Sequence, residues 1–314
     1  MRPFRNLSGR SLFRLPVILS GVAVFFPAAL HFTGRLSAEA AQRAANPAGL
    51  SITAASRSIQ PGELVVLTIT ATGTENHLQV RAFGRDSLPF RLDAHRWQAL
   101  VGIDLDVTNG PHQVVVESGP ERQRATYDLI VRARRFPTRN LTVDDAFVNP
   151  PPSVTDRIAQ EARELEQLWR TSSPDRLWTG EFVRPVPEAA NSAFGTRSVF
   201  NGQPRSPHGG ADFMSPAGTP VRAPNAGRVA IARELYFTGN TIVIDHGLGL
   251  YSMLAHLSAM DVQEGAMVTA GAIVGRVGAT GRVTGAHLHW AVRVAGARVD
   301  PLSVLAILGP RPKA

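Results

Sequence analysis

The sequence contains no cysteine, and Lys313 is its single lysine among 314 residues. The absence of cysteine excludes disulfide bridges, thiolate metal ligands and a lipid anchor attached to cysteine. A zinc site in this chain would therefore use imidazole and carboxylate groups without thiolates.

The chain is basic, but it lacks the features of a nucleic-acid-binding protein. Its formal net charge is +8, and residues 1–40 contain five arginines and one glutamate, so the remainder carries +4. No basic stripe interleaved with aromatic residues and no nucleic-acid-binding motif accompanies the arginines. We therefore expect no nucleic-acid partner.

The N-terminal segment has the pattern of an export signal. Four arginines precede an uncharged, mainly apolar stretch over residues 15–32, and Ala-Glu-Ala at residues 38–40 offers a cleavage site. The apolar stretch is near the lower length limit for crossing a bilayer, so an uncleaved membrane anchor is the alternative. Both interpretations predict an exported protein of the periplasm or cell envelope, which contacts the membrane only if residues 1–40 stay attached.

Turn signals divide the rest of the chain into an N-terminal β domain, a linker and a C-terminal β domain. Residues 51–135 alternate apolar runs with Pro-Gly, Asn-Gly and Gly-Pro turns, which predicts an immunoglobulin-like β-sandwich. Predicted strands in this domain cover residues 64–69, 100–107, 114–116 and 129–131. Because this region has no cysteine pair and no cluster of residues with a catalytic or metal-binding pattern, we predict a spacer, binding or autoregulatory module.

The predicted linker, residues 136–190, contains one helix over residues 153–170. Ser153 and Asp156 resemble a capping box at its start. An apolar stripe follows at helical spacing, formed by Val154, Ile158, Ala162, Leu165 and Trp169. Such a stripe predicts packing on a neighbouring domain.

The C-terminal domain, residues 191–305, reads as an antiparallel β-sheet domain followed by a tail over residues 306–314. Its predicted strands are the short apolar runs at residues 221–231, 240–246, 250–257, 272–277 and 287–294. Biotinyl and lipoyl carrier domains share such hairpins, but a carrier domain needs a lysine to modify. The single lysine, Lys313, lies in the tail, so the carrier interpretation fails. Residues 278–285 lack the Gly-Lys-Ser/Thr ending of a phosphate loop, so their glycines predict a tight turn that a substrate peptide can approach.

Four of the nine histidines and one aspartate occur in three short motifs of this domain. The motifs are P-H-G-G-A-D with His208 and Asp212, L-A-H-L-S with His256, and G-A-H-L-H-W with His287 and His289. Extended residues two or four apart share a face, so up to three imidazoles and one carboxylate can reach one ion. This donor set suits zinc, and three protein ligands leave one position open for chemistry. Together the motifs predict a hydrolytic zinc site.

The remaining histidines lack this kind of spacing. His246 lies where a predicted strand meets a Gly turn, and we predict that it is a structural histidine bonded to the backbone. His31, His77, His95 and His112 have no nearby partner in the sequence, and we assign them no role in the site.

Six motifs of the C-terminal domain occur in the order found in a known family. They are S-A-F-G-T-R, P-H-G-G-A-D-F, V-R-A-P-N-A-G-R-V, G-N-T-I-V-I-D-H-G, L-A-H-L-S and T-G-A-H-L-H-W. With these motifs, residues 191–305 resemble the lysostaphin and LytM-type zinc endopeptidases, which cut peptidoglycan cross-links. The resemblance implies a LytM/lysostaphin-like fold of the duplicated-hybrid-motif type.

The same resemblance implies a role for each polar residue of the motifs. One zinc ion is expected on His208, Asp212 and His289, with a water completing the tetrahedron and His256 and His287 beside it as catalytic groups. The resemblance thus restricts the ligands to one member of the H-x-H pair. Family members often carry a tyrosine two residues before the histidine that matches His256, whereas this chain has leucine there.

Two functions from different classes follow from the resemblance. The first is a zinc-dependent endopeptidase that hydrolyses peptide cross-links of peptidoglycan in cell-wall remodelling. The second is a latent LytM-type regulator that activates cell-wall amidases through a protein partner. The presence of all three ligands and both catalytic histidines favours the enzyme. Arg197 and Arg282 lie near the motifs and are candidates to bind substrate carboxylates.

Overall fold

The computed structural model describes most of the chain after the predicted signal segment. The described residues are 49–72, 77–119, 123–142, 148–192 and 194–310. They all belong to one compact unit, Ala38–Ala314. Within these ranges, no helix combines the length and apolar character needed to cross a membrane. The predicted signal over residues 1–40 lies outside the described residues.

The described part of the chain is mainly antiparallel β-structure, as predicted. The N-terminal region contains β1 Leu50–Ser56, β2 Leu64–Ala71, β3 Leu78–Ala82, β4 Arg85–Ser87, β5 Phe90–Arg91, β6 Arg96–Gly102, β7 Gly110–Ser118 and β8 Gln123–Val131. The linker contains β9 Thr138–Leu141 and α1 Thr155–Arg170. The first strands of the C-terminal region are β10 Ala190–Ser192, β11 Arg197–Phe200, β12 Gln203–Pro204, β13 Gly210–Phe213, β14 Pro220–Arg222 and β15 Gly227–Leu235. The remaining elements are β16 Gly239–Asp245, β17 Leu250–Met260, β18 Met267–Val268, β19 Ile273–Val277, β20 Leu288–Val294, β21 Ala297–Val299 and α2 Pro301–Leu308.

The N-terminal strands form two four-stranded sheets around a shared apolar core. The strand orders are β1-β2-β6-β5 and β4-β3-β7-β8, and the paired strands are antiparallel. These orders are compatible with an immunoglobulin-like sandwich, which stays a prediction. The predicted strand over residues 100–107 is too long, because β6 ends at Gly102. Beyond it the Asp104 carboxylate accepts from the Asp106 N–H and turns the chain.

Strand β2 connects the two halves of the molecule because both of its faces are buried. Its side chains alternate, so Val65 and Leu67 belong to the core of the two sheets, while Leu64 and Val66 belong to the core of the C-terminal region. Two fully buried faces explain why the strand begins with four consecutive apolar residues rather than an alternating pattern.

Buried carboxylates also join the N-terminal sheets to the C-terminal region. The Asp104 side chain is 7% exposed and accepts from Arg298 Nε at 3.0 Å and Nη2 at 2.5 Å. Glu63 accepts from Arg57 and from the Ser303 hydroxyl at 2.7 Å. These contacts hold each buried charge with hydrogen-bonded partners on the other side of the interface. The predicted domain boundaries stay a prediction.

Helix α1 begins later than predicted and without the predicted cap. A 3₁₀ turn, Pro152–Val154, precedes it, and the N-cap residue Val154 has no side-chain hydrogen bond to the helix. The capping-box prediction for Ser153 and Asp156 is therefore wrong, because the 3₁₀ turn places Ser153 before the N-cap. The C-terminal turn of the helix packs Trp169 on Tyr251 of the large sheet, with ring centroids 5.5 Å apart.

The large sheet of the C-terminal region carries the predicted site motifs. Its central order is β10-β13-β20-β17-β16-β15-β18, with β14, β19 and β21 paired beside this path. The strand predicted over residues 221–231 is two strands, β14 and β15. They are separated at buried Asn225, whose side-chain oxygen accepts from the Ala226 N–H and turns the chain. Helix α2 is capped by Asp300, which accepts from the Leu302 N–H, and it continues to Leu308.

Candidate metal centre and catalytic cleft

Three of the five predicted polar residues meet where β13 and β20 pair. Asp212 on β13 lies directly opposite His289 on β20 in the antiparallel register. His208 precedes β13, and its backbone N–H and carbonyl bond to Thr196 and Gly195, which fixes the segment. A side chain at Gly210 would lie within 2.4 Å of the Trp290 carbonyl and 2.7 Å of the His289 ring. The second glycine of P-H-G-G-A-D therefore allows the close approach of the two strands.

The three side chains direct their donor atoms to one point. His208 Nε2 lies 3.0 Å from Asp212 Oδ1 and 3.1 Å from His289 Nδ1, and His289 Nδ1 lies 2.8 Å from the same Asp212 oxygen. Metal–ligand bonds of about 2 Å in a tetrahedron separate neighbouring ligand atoms by about 3.3 Å. The spacing and the chemistry of the donor set therefore fit a zinc ion.

The charges of the three groups suit a cation. Burial alone would raise the pKa of Asp212, but hydrogen bonds and positive charge from His208 and His289 outweigh it and hold that pKa far below its ordinary value. Burial lowers the pKa of His289, and the Asp212 carboxylate only partly offsets this effect. The centre thus combines a carboxylate with the imidazole of His289, for which burial favours the neutral, metal-binding form.

His256 is held beside this centre by an unusual backbone conformation. Its φ angle is +65°, although it is not glycine, and the register of β17 shifts next to it against both β16 and β19. A non-glycine residue at positive φ costs about 1 kcal/mol or more, and such conformations concentrate at functional sites. The bulge directs the His256 side chain into the cleft that contains the metal centre.

Thr280 fixes the ring of His256 and the strand that carries it. The Thr280 carbonyl lies 3.0 Å from His256 Nδ1, and a carbonyl only accepts, so Nδ1 carries the proton and Nε2 is the nitrogen left for chemistry. The Thr280 hydroxyl donates to the Leu257 carbonyl at 2.8 Å and accepts from the Asn240 N–H at 2.9 Å. A side chain at Gly239 would lie 2.3 Å from Thr280, so the close contact requires glycine there.

His287 has the same tautomer by a similar contact. Its Nδ1 donates to the Gly285 carbonyl at 2.9 Å, and its Nε2 lies 3.8 Å from Asp212 Oδ1. Its ring lies 4.8 Å from that of His256. Because His287 precedes β20 and is farther from Asp212, the structure separates it from the three converging donors. The alternative in which both histidines of H-x-H hold the ion fits this arrangement less well.

Burial lowers the pKa of His256 to about 4, and repulsion from His289 contributes to the shift. His256 is therefore neutral near pH 7 and can accept a proton at Nε2. Because a backbone carbonyl engages Nδ1 of both His256 and His287, each of the two rings presents its Nε2 at the edge of the candidate metal centre.

The centre opens into a cleft of about 540 Å³. The described lining includes the five predicted polar residues and ten further residues. These further residues are Arg139, Leu141, Phe200, Met214, Phe237, Thr238, Arg282, Val283, Thr284 and Gly285. Because β9 supplies two of them, the linker contributes to the cleft, which the sequence pattern did not predict.

The other sequence predictions lie at different places. Arg282 lines the cleft and stacks over Phe237 at 4.2 Å, whereas Arg197 is exposed on β11 and does not belong to the described lining. His246 is fully buried and bonds to the Ala226 carbonyl at 2.8 Å, which confirms the prediction of a structural histidine. Leu254 is fully buried in the core, so it lies away from the cleft surface.

Two imidazoles and one carboxylate, with two further histidines beside them in an open cleft, form a donor set of the kind used by metal-dependent hydrolases. The family model described as peptidase family M23 matches residues 206–301. A Pseudomonas aeruginosa chain of known crystal structure, assigned to peptidase M23, is 32% identical, with a TM-score of 0.64. The alignment covers 79% of this chain and 95% of that one. The chain belongs to peptidase family M23.

Two curated relatives are similar to the C-terminal region. The DD-carboxypeptidase/endopeptidase Mpg of Neisseria meningitidis is 43% identical over 97 residues, which cover 31% of this chain and 22% of that protein. The peptidoglycan DD-endopeptidase ShyA of Vibrio cholerae is 41% identical over 97 residues, covering 31% and 23%. The match therefore spans less than a quarter of the length of each relative.

Proposed function

We propose that the protein is a zinc-dependent endopeptidase that hydrolyses peptide cross-links of peptidoglycan in the cell envelope. The observation that carries this proposal is the convergence of His208, Asp212 and His289 beside two histidines with available Nε2 atoms. The family and the names of the relatives Mpg and ShyA support the substrate class.

In this proposal the ligands are His208, Asp212 and His289. When bound, a zinc ion would supply a Lewis acid that lowers the pKa of water and polarises the amide carbonyl. The Asp212 carboxylate offsets one unit of the ion's charge, and the two neutral imidazoles leave the centre positive.

His256 and His287 handle protons and developing charge in this proposal. A neutral Nε2 can accept the proton of the attacking water, and the protonated ring can then donate to the leaving amine. The second histidine can donate to the oxyanion that forms on the amide carbonyl. The Nδ1 contacts to Thr280 and Gly285 fix both rings, so neither has to reorient during the reaction.

The experiment that tests the proposal uses isolated peptidoglycan sacculi and the purified protein. The protein is depleted of metal with a chelator, zinc is added back, and the released fragments are identified by mass. We expect cross-linked dimers to disappear only when zinc is present. A folded, zinc-loaded protein that releases nothing would contradict the proposal and would favour the amidase-activating alternative.

A further inference from the structure

We propose that strand β9 of the linker forms a substrate-binding wall of the cleft, in which Arg139 binds a carboxylate of the peptide substrate. This inference rests on the proposed function, because it concerns how the same cleft recognises its substrate. The class of ligand is a peptide that carries a free carboxylate next to an aliphatic portion.

The position of β9 is not explained by packing of the core. The strand pairs in parallel with β11, from Arg197 opposite Thr138 to Phe200 opposite Leu141. All four of its residues are exposed. Because the strand buries none of its side chains, apolar burial contributes little to its placement. The pairing brings part of the linker to the edge of the cleft that contains the candidate metal centre.

Arg139 is oriented by one contact that leaves most of its guanidinium available. Its Nε donates to the hydroxyl of the buried Ser198 at 3.0 Å. Within the described ranges, no carboxylate lies within 4 Å of its guanidinium nitrogens. The planar guanidinium can bind a carboxylate through two parallel hydrogen bonds. A side chain that is already held by Ser198 loses less conformational freedom when it binds.

The charge of the cleft favours an anionic ligand. Arg139 and Arg282 both line it, whereas Asp212 is the single carboxylate among the described lining residues. The Asp212 oxygen is already engaged by His208 and His289. Charges of one sign in a cleft raise the local concentration of a ligand of opposite charge.

The same wall offers apolar contact beside the cation. Leu141 follows Arg139 by two residues, so both side chains lie on the same face of β9. Leu141 is 39% exposed, and Met214, which also lines the cleft, is 56% exposed. Exposed apolar side chains that share a cleft are typical of ligand contact. A peptide could thus place a carboxylate on Arg139 and an aliphatic portion on Leu141.

The test pairs a variant with a chemically altered ligand. The probe is a synthetic dimer of two cross-linked stem peptides with free carboxylates, together with analogues in which one carboxylate at a time is a carboxamide. Arg139→Gln removes the charge, and Arg135→Gln makes the same change at an exposed residue that directly precedes the linker and lies outside the described cleft lining. Dissociation constants are measured on the zinc-free protein, and kcat and KM on the zinc-loaded protein.

We expect Arg139→Gln to weaken binding of the free-carboxylate dimer by roughly tenfold to a hundredfold, mainly through KM, because a charge-assisted hydrogen bond is lost. For one carboxamide analogue, the wild type and Arg139→Gln should bind within about twofold of each other. Arg135→Gln should behave like the wild type with every ligand.

Three kinds of result would overturn the inference. If Arg139→Gln binds the free-carboxylate dimer as tightly as the wild type, Arg139 is a solvated surface arginine. If Arg139→Gln binds every carboxamide analogue more weakly than the wild type by the same factor, Arg139 recognises none of the carboxylates. A wild type that binds the dimer but never cleaves it would contradict the proposed function, while the dissociation constants would still decide the role of Arg139. A wild type that does not bind the dimer at all would overturn the inference.

Discussion

The buried histidine His246 makes the stability of the protein depend on pH in a calculable way. Its Nδ1 donates to the Ala226 carbonyl, and its Nε2 accepts from the Ser252 hydroxyl at 3.0 Å. The Ser252 oxygen also accepts from Trp290 Nε1 at 3.2 Å. This chain of hydrogen bonds uses the neutral form of the imidazole, and no carboxylate oxygen of the described residues forms an ion pair with the ring nitrogens.

Burial lowers the pKa of His246 from 6.5 to about 4. Because the unfolded state binds the proton more readily, the stabilising contribution is complete above pH 6.5 and is lost as the pH falls toward 4. Each unit of pKa shift corresponds to about 1.4 kcal/mol, so the free energy of unfolding should fall by about 3 kcal/mol between neutral pH and pH 4. The sign is that of a base whose pKa is depressed in the folded state.

The assay is urea unfolding between pH 7.5 and 4 for the wild type and His246→Asn. The asparagine amide keeps a donor for the Ala226 carbonyl but does not titrate. A chelator is present throughout, because proton-dependent metal binding would add its own pH dependence. We expect the wild type to lose about 3 kcal/mol more than the variant over this range. Equal pH dependence in the two proteins would refute the reasoning.

Three further predictions concern other parts of the structure. Thr280→Val should lower kcat while zinc content is retained, because the bulge that holds His256 loses the hydrogen bonds of the Thr280 hydroxyl. Thr280→Ser keeps the hydroxyl and should retain the wild-type rate. Similar kcat values for the two variants would argue against this role. Replacing His256 or His287 with alanine should lower the rate of cleavage roughly a hundredfold or more and leave most of the zinc bound, as checked by elemental analysis. Loss of zinc in His287→Ala would show that His287 is a metal ligand. Arg298→Leu should destabilise the protein by roughly 2–4 kcal/mol in urea unfolding, because it removes a hydrogen-bonded partner of the buried Asp104 carboxylate. Arg96→Leu, which breaks an exposed ion pair, should have a much smaller effect.

The features that follow a simple periodicity were predictable from the sequence. In G-A-H-L-H-W, strand alternation puts Leu288 and Trp290 on the face opposite to the two histidines, and both are fully buried. The same alternation places His289 toward the cleft. The four-residue spacing of His208 and Asp212 likewise brought both side chains to one side of an extended segment.

The features that depend on backbone carbonyls or on long-range pairing were not predictable. The main-chain carbonyl of Thr280 accepts a hydrogen bond from His256, and a contact of this kind leaves no pattern in the side-chain sequence. Strand β9 has four exposed residues and therefore no apolar pattern, so only its pairing with β11 reveals it. The predicted capping box failed for a local reason, since a 3₁₀ turn moved the start of α1 beyond Ser153.

The measurement that tests the central claim most directly compares Asp212→Ala with Asp261→Ala, which removes an exposed carboxylate of the same region. For each protein, zinc per chain is determined by elemental analysis, and the release of fragments from sacculi is followed in the same preparation. We predict that the wild type and Asp261→Ala bind one zinc ion and cleave cross-links, and that Asp212→Ala loses both properties while remaining folded. Cleavage by zinc-free Asp212→Ala would contradict the account.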